Sequence, residues 1–302
     1  MNIAVLSDIH GNSIAFKQVV EYLDTKEIDA FCILGDYSGE FSGVRETLDI
    51  IYDLEKKYPL YIIKGNKEDY LFKGLGGHHP EWDEYMTTVG MLRYAYDNMR
   101  EHDWEYIKGL PETLSVHFDG MEDLLLCHGS PKMVKGKLLK DNPSNKELLG
   151  DIAEKYVLCG HTHKYVEFDD CGKHIINPGA VGNPLDKGKH DKISFVILHS
   201  VGSEWEAEHI YLQQNIDAIM HDMIAHSLHV IAPYWTACTE AFFRGAELSN
   251  GDVLDRAMQI TYEETGACNW PAIPEKYWKR AFRELIIGRF PEVYDRMILK
   301  QV

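Results

Sequence analysis

The segment that most constrains this chain is its first twelve residues, MNIAVLSDIHGN. The apolar run over residues 3–6 is short, rich in branched side chains and soon followed by a Gly-Asn pair, so it predicts a buried strand. Asp8 and His10 come directly after it, and residues two apart in an extended segment point the same way. A carboxylate and an imidazole therefore project together from the carboxyl end of a strand, where open α/β sheets hold their functional sites.

Four further apolar runs end in residues of the same kind. They close with Gly-Asp, Gly-Asn, His-Gly and Gly-His-Thr-His, and the side chains concerned are Asp36, Asn66, His128, His161 and His163. Two divalent cations about 3.5–4 Å apart need a shared carboxylate and several oxygen and nitrogen ligands. The series supplies them, with Asp36 as the predicted bridge, and mixed carboxylate and imidazole ligation suits Mn, Fe or Zn. Any one of these motifs arises by chance, but the ordered series predicts a metal site.

These motifs, in this order, resemble those of the calcineurin-like metallophosphoesterases over about residues 1–212. The segment INPGAVGNP at residues 176–184 is similar to the NPGSVG segment of the YfcE-type bacterial and archaeal phosphodiesterases, the branch that the chain resembles most. The resemblance implies an α+β fold, a four-layer α/β/β/α sandwich with the metals at the ends of the sheets.

The resemblance also implies a role for each side chain. The first metal would be held by Asp8, His10, Asp36 and His163, and the second by Asp36, Asn66, His128 and His161. We assign Asn66, Lys67 and His128 to catalysis, and Asn66 and Lys67 also to substrate binding. The two divalent ions (Mn, Fe or Zn) would hold a bridging hydroxide, and the expected reaction is hydrolysis of a phosphodiester or a nucleotide pyrophosphate bond.

Lys67 departs from the pattern of many phosphatases in this superfamily, which have a leaving-group histidine directly after Gly-Asn. Lysine is a fixed cation at neutral pH and a poor general acid at its ordinary pKa. Either Lys67 neutralises a substrate phosphate, or it is a solvated residue at the start of a helix. The phosphodiesterase branch also tends to lack the histidine, so the substitution argues against a protein-phosphatase type of site more than against activity.

Several alternatives stay open at this point. A serine/threonine or small-molecule phosphomonoesterase and a dinucleoside tetraphosphate hydrolase would use the same ligands. A scaffold is the alternative from a different class, because some members of the fold keep the pocket but serve as protein-binding modules. The complete ligand set argues against the scaffold, and turnover separates it from the enzymes.

Charge and composition exclude other functions. The formal net charge of −17 disfavours a broad surface for DNA or RNA, which needs a basic footprint. It allows an anionic substrate, because divalent cations dominate the local field. No apolar run approaches the roughly 18–20 residues of a membrane span, and the first strand leaves no room for a signal peptide. The six cysteines form no Cys-x-x-Cys pair, so we predict a cytoplasmic protein with free thiols that binds no membrane.

We predict two units, a metallophosphoesterase domain over residues 1–212, with a helical insertion at about 67–112, and a helical extension over residues 213–302. The extension would pack on the sandwich, wall the cleft or form a homodimer. We interpret its Trp270 as a core or interface aromatic. A phosphorylated small molecule or nucleotide is the expected partner.

Three features of the loops and the insertion also suggest substrate contacts. Gly76-Gly77 and His78-His79 would form a lid or, as we favour, an exposed polar loop. Tyr94 and Trp104 would stack a nucleobase or, as we favour, pack helices together. Four lysines follow the His-Gly motif and would steer polyphosphate, although a solvated loop is the favoured interpretation. They are Lys132, Lys135, Lys137 and Lys140.

Overall fold

The computed structural model describes residues 1–74 and 84–300. The predicted lid, Gly76-Gly77 with His78-His79, lies outside the described residues. Two five-stranded sheets form the centre of the described chain. Within its described ranges, no helix is both long enough and apolar enough to cross a bilayer.

The first sheet has the strand order β10-β9-β1-β2-β3. Its strands are β1 (Asn2–Leu6), β2 (Ala30–Ile33), β3 (Leu60–Ile62), β9 (Lys192–Val201) and β10 (Glu204–Gln213). Strands β1, β2 and β3 run parallel, and β9 pairs antiparallel with both β1 and β10. The βαβ connections therefore bring the carboxyl ends of the first three strands to one edge.

The second sheet has the order β4-β5-β6-β8-β7. Its strands are β4 (Thr113–Val116), β5 (Leu124–Cys127), β6 (Tyr156–Leu158), β7 (Tyr165–Asp170) and β8 (Lys173–Pro178). Strands β5, β6 and β8 are parallel, whereas β4 and β7 are antiparallel at the two edges. The carboxyl ends of β5 and β6 lead into the predicted histidine ligands.

The side chains of β1 point alternately towards the second sheet and towards the helices. Ile3 and Val5 pack with residues of the second sheet such as Leu126, whereas Ala4 and Leu6 face the helices. Helices cover the outer face of each sheet, and these are α1 (Ser13–Leu23), α2 (Val44–Glu55) and the short α6 (Asn145–Leu149). Because side chains alternate along a strand, one sequence of apolar residues serves two cores. The predicted four-layer α/β/β/α sandwich is confirmed.

The helical insertion lies between β3 and β4. Within the described residues we number three of its helices, α3 (Asn66–Gly74), α4 (Met86–Asn98) and α5 (Glu101–Gly109). Trp104 packs with Phe72 and Tyr96, and Tyr94 joins an apolar cluster while its hydroxyl donates to the Ser42 carbonyl oxygen. Both aromatics therefore pack helices together, as favoured from the sequence.

The described chain beyond β10 consists of helices and their connections, and its last helix ends at Arg296. The helices are α7 (Ile216–Ala225), α8 (Leu228–Ile231), α9 (Pro233–Phe243), α10 (Asn250–Thr265), α11 (Glu275–Phe282), a π-helical segment (Arg283–Ile287) and α12 (Pro291–Arg296). Phe243 of α9 stacks on Phe41 of the loop after β2, with ring centroids 5.9 Å apart. The extension therefore supports the loop that begins at the predicted ligand Asp36.

One predicted helix is shorter than its pattern suggests. The sequence predicts a helix over 146–156, but α6 ends at Leu149 and Tyr156 is the first residue of β6. Tyr156 pairs with His174 of β8 and is buried, so the end of the predicted helix is part of strand β6. Sheet pairing outweighs the local helical preference.

Candidate metal centre

The structure brings the predicted ligands together at the ends of five strands. In the first group the Nε2 atoms of His10 and His163 lie 2.9 Å apart. Asp8 Oδ1 lies 3.3 Å from His163 Nε2 and 3.6 Å from His10 Nε2. Ligand atoms of all three residues lie within 4.8 Å of one another, a spacing at which one cation can contact them all.

The second group lies beside the first. Asp36 Oδ2 is 3.4 Å from His128 Nε2, and Asn66 Oδ1 is 3.2 Å from the same nitrogen. His161 is not among the residues whose ligand atoms converge within 4.8 Å of one another, and its ring centroid lies 5.3 Å from that of His128. Asp36 Oδ2 also lies 3.8 Å from His10 Nε2. Asp8 Oδ1 lies 4.0 Å from His128 Nε2, so Asp8 also reaches both groups, and both carboxylates stand where a shared ligand would lie.

The backbone at the ligands is itself unusual. Five of the seven ligands adopt the left-handed region, with φ between 54° and 66°: Asp8, His10, Asp36, His161 and His163. Non-glycine residues rarely adopt this region, and such strain concentrates at functional sites. Gly35 allows the close approach of two of the loops, because a Cβ on it would lie 2.4 Å from the Gly65 nitrogen.

The hydrogen bonds of the histidines fit a metal. His128 Nδ1 donates to the Leu34 carbonyl oxygen and His163 Nδ1 donates to that of Asn183, each over 2.7 Å. In the neutral rings the Nε2 atoms are then acceptors that face carboxylate oxygens, which are also acceptors. Asp8 Oδ1 is buried and has no hydrogen-bond partner among the described residues. Converging acceptors of this kind need a cation, so the residues present fit divalent metal ions.

The pKa values reflect the same concentration of negative charge. Burial lowers the pKa of His128, but the Asp36 carboxylate outweighs burial and the net pKa rises to about 10. Burial raises the pKa of Asp8, but His163 and His10 outweigh it, and the net pKa falls well below its usual range. Both shifts follow from buried carboxylates that attract positive charge.

Glu68 is a residue of the candidate site that sequence reasoning missed. Its buried carboxylate accepts hydrogen bonds from the backbone N–H groups of Gly65 and Asp36, at 2.8 and 3.0 Å. It also accepts from the N–H groups of Tyr37 and Ser38 and from the Ser38 hydroxyl. Burial and the Asp36 carboxylate raise the pKa of Glu68 to about 7. Glu68 thus holds the Asp36 loop against α3. Its position two residues after Asn66 was the sequence signal that could have identified it.

Lys67 has a defined partner. Its Nζ donates to Glu40 Oε1 over 2.7 Å, and only 18% of its side chain is exposed. Glu40 Oε2 accepts from Asn183 Nδ2 over 3.2 Å, and Asn183 is the residue whose carbonyl oxygen orients His163. The solvated interpretation of Lys67 is therefore wrong. The sequence alone gave no reason to single out Glu40, because the pair forms across 27 residues.

Comparisons with known proteins agree with this geometry. Residues 1–202 match the family model of the calcineurin-like phosphoesterase superfamily domain. The protein MJ0912 of Methanocaldococcus jannaschii is 25% identical over 203 residues, which cover 61% of this chain and 77% of that protein.

Two crystal structures share the fold. PH1004 from Pyrococcus horikoshii OT3 has a TM-score of 0.65 and 21% identity, over 78% of this chain and 97% of its own. A metallophosphoesterase from Sphaerobacter thermophilus has a TM-score of 0.59 and 20% identity, over 77% and 99% respectively. At these identities the likeness concerns the fold.

Proposed function

Because the chain belongs to the calcineurin-like phosphoesterase superfamily, and is thereby a metal-dependent phosphohydrolase, we propose that it uses two metal ions to hydrolyse a phosphodiester or nucleotide pyrophosphate bond. The observation that carries the proposal is the position of the Asp36 carboxylate between two groups of converging ligand atoms. Asp36 would be the shared ligand of the two ions.

Each ligand group would hold one ion. Asp8, His10 and His163 would complete the first with Asp36, and Asn66, His128 and His161 the second. When bound, two divalent cations supply Lewis-acid activation of water and neutralise phosphate charge. The carbonyl oxygens of Leu34 and Asn183 hold two of the imidazoles in the tautomer that a metal requires.

Lys67 and Asn66 would act on the substrate itself. The Asn66 amide offers an N–H for a phosphoryl oxygen, since its Oδ1 faces His128. The Lys67 ammonium, held by Glu40 at 2.7 Å, adds a fixed positive charge beside the ligand Asn66. A cation bound to a carboxylate stabilises charge on phosphoryl oxygens but does not readily give up a proton. This favours diesters and pyrophosphates with good leaving groups over alkyl monoesters.

The central experiment is hydrolysis of bis-p-nitrophenyl phosphate with Mn²⁺, in wild type and in Asp36→Asn. The variant keeps the shape of the side chain but removes the shared charge. We expect kcat to fall by more than about a hundredfold, since even outer partners of metal ligands are worth about 10–100-fold. Asp119→Asn is the matched control and should retain activity, because the Asp119 side chain is fully exposed in the β4–β5 turn.

The outcomes discriminate between reactions. Retained diester turnover in Asp36→Asn would refute the shared-ligand role. Turnover of p-nitrophenyl phosphate alone, with no diester turnover, would indicate a phosphomonoesterase. A dinucleoside tetraphosphate is the specific pyrophosphate substrate to compare next. The cytoplasmic location and a homodimer formed through the extension stay predictions.

A further inference from the structure

Three side chains from distant parts of the sequence meet around Tyr70 of α3, the helix that begins at the predicted ligand Asn66. Lys135 Nζ lies 4.2 Å from the centroid of the Tyr70 ring. The Trp270 ring, from the segment between α10 and α11, lies 6.3 Å from the same ring, with 33° between the ring planes. A cation and two aromatic rings therefore form one cluster, which we name the aromatic subsite.

The aromatic subsite is connected to the metal ligands by short stretches of chain. Tyr70 follows the ligand Asn66 by four residues on α3, which is about one helical turn or ~6 Å along the axis. Lys67 lies between them. Lys135 belongs to the loop that begins at the ligand His128. Two elements that start at metal ligands thus lead to the same cluster.

The exposure of Trp270 is unusual in this chain. It is 49% exposed, whereas Trp278 is fully buried and Trp205 is 3% exposed. Trp270 is therefore not a core residue, and its interpretation as an interface aromatic stays a prediction. Tyr70 is partly buried and Lys135 is exposed, so the subsite combines a supported ring with an accessible ring and an accessible charge. These features suit a ligand that stacks on an aromatic face and carries negative charge.

We propose that the aromatic subsite binds the base of a nucleotide whose phosphate lies at the metal centre. The inference rests on the proposed function and narrows its substrate class. Bases stack on aromatic side chains regardless of sequence, and a cation over the ring adds electrostatic attraction. A substrate consisting of polyphosphate alone would make no contact that needs two aromatic rings. A nucleotide would place its base against the rings and its phosphates near Lys67 and Lys135.

The kinetic test compares two diesters that share a leaving group. Thymidine 5′-p-nitrophenyl phosphate carries a nucleoside, and methyl p-nitrophenyl phosphate does not. In Trp270→Ala we expect KM for the thymidine ester to rise about tenfold, the lower range of one lost stacking contact. kcat/KM for the methyl ester should stay unchanged. Trp270→Phe should largely restore the thymidine KM, because it keeps an aromatic ring. Tyr262→Ala, which removes a 62% exposed aromatic of α10, is the matched control and should change neither substrate.

A binding measurement separates the subsite from catalysis. Isothermal titration of the Mn²⁺-loaded full chain with AMP and with inorganic phosphate reports binding without turnover, because neither ligand contains a diester or pyrophosphate bond. We expect Trp270→Ala to weaken AMP binding about tenfold and to leave phosphate binding unchanged. Wild-type protein that binds AMP no more tightly than phosphate would overturn the subsite, as would equal losses for both diesters in Trp270→Ala. If neither diester is hydrolysed while AMP binding still depends on Trp270, the proposed function fails and the subsite stands.

Discussion

Substitution of Glu68 by glutamine tests whether one buried carboxylate holds the metal-binding loops together. Glutamine keeps the size of the side chain and one acceptor oxygen, but it replaces the other oxygen by a donor. One Glu68 oxygen accepts from the backbone N–H groups of Gly65 and Asp36, and the other accepts from those of Tyr37 and Ser38. Either orientation of the amide therefore leaves two backbone N–H groups facing a donor.

The magnitude follows from that count. Each buried N–H left without an acceptor costs about 1–3 kcal/mol, so two cost about 2–6 kcal/mol. Part of this is offset, because glutamine avoids the burial of a charge whose cost is visible in the raised pKa of Glu68. We expect the free energy of unfolding to fall by about 2–4 kcal/mol at pH 8. Mn²⁺ affinity should fall about 10–100-fold, because the Asp36 backbone loses its anchor.

Two measurements check this prediction. Urea unfolding gives the free energy of unfolding, and isothermal titration with Mn²⁺ gives the affinity of the folded protein. Glu55→Gln, at the exposed end of α2, is the control and should stay within about 0.5 kcal/mol of wild type. A Glu68→Gln protein that loses less than about 1 kcal/mol and binds Mn²⁺ normally would refute the reasoning.

Two further predictions concern the extension and the first sheet. Phe243→Ala removes the ring stacked on Phe41, so we expect the free energy of unfolding in urea to fall by about 3–5 kcal/mol. Mn²⁺ binding should weaken as well. A loss of stability below about 1 kcal/mol would show that the extension does not support the Asp36 loop. His209 stacks on Tyr165, and burial lowers its pKa to about 4. The folded state thus favours the neutral ring. Its contribution to the free energy of unfolding is complete above the unfolded pKa of about 6.5 and is lost as pH falls towards 4. After allowance for partial solvent exposure, the free energy of unfolding that His209 contributes falls by about 1 kcal/mol. Urea unfolding at pH 7.5 and at pH 4.5 measures this loss, which should occur in wild type and be absent from His209→Gln.

The ligand set could be predicted from the sequence because each ligand is tied to a local pattern. Asp8 and His10 end an apolar run, as do Asp36 and Asn66, and parallel strands joined by helices place such ends at one edge of a sheet. The same argument predicted the buried strands, whereas the sandwich was implied by the family resemblance. Local periodicity failed at residues 150–156, where it predicted the end of a helix, whereas α6 ends at Leu149 and Tyr156 pairs with β8.

The supports of the site depend on contacts that no local pattern describes. Lys67 finds Glu40 across 27 residues, and Trp270 reaches Tyr70 across a much longer stretch of chain. Local spacing determines which side chains share a face of a strand or helix, so the sequence alone could determine the set of candidate metal ligands. Tertiary packing decided which cations and aromatic rings lie near these ligands. The distances between such groups depend on how α3, the His128 loop and the C-terminal helices pack together at the edge of the sheet.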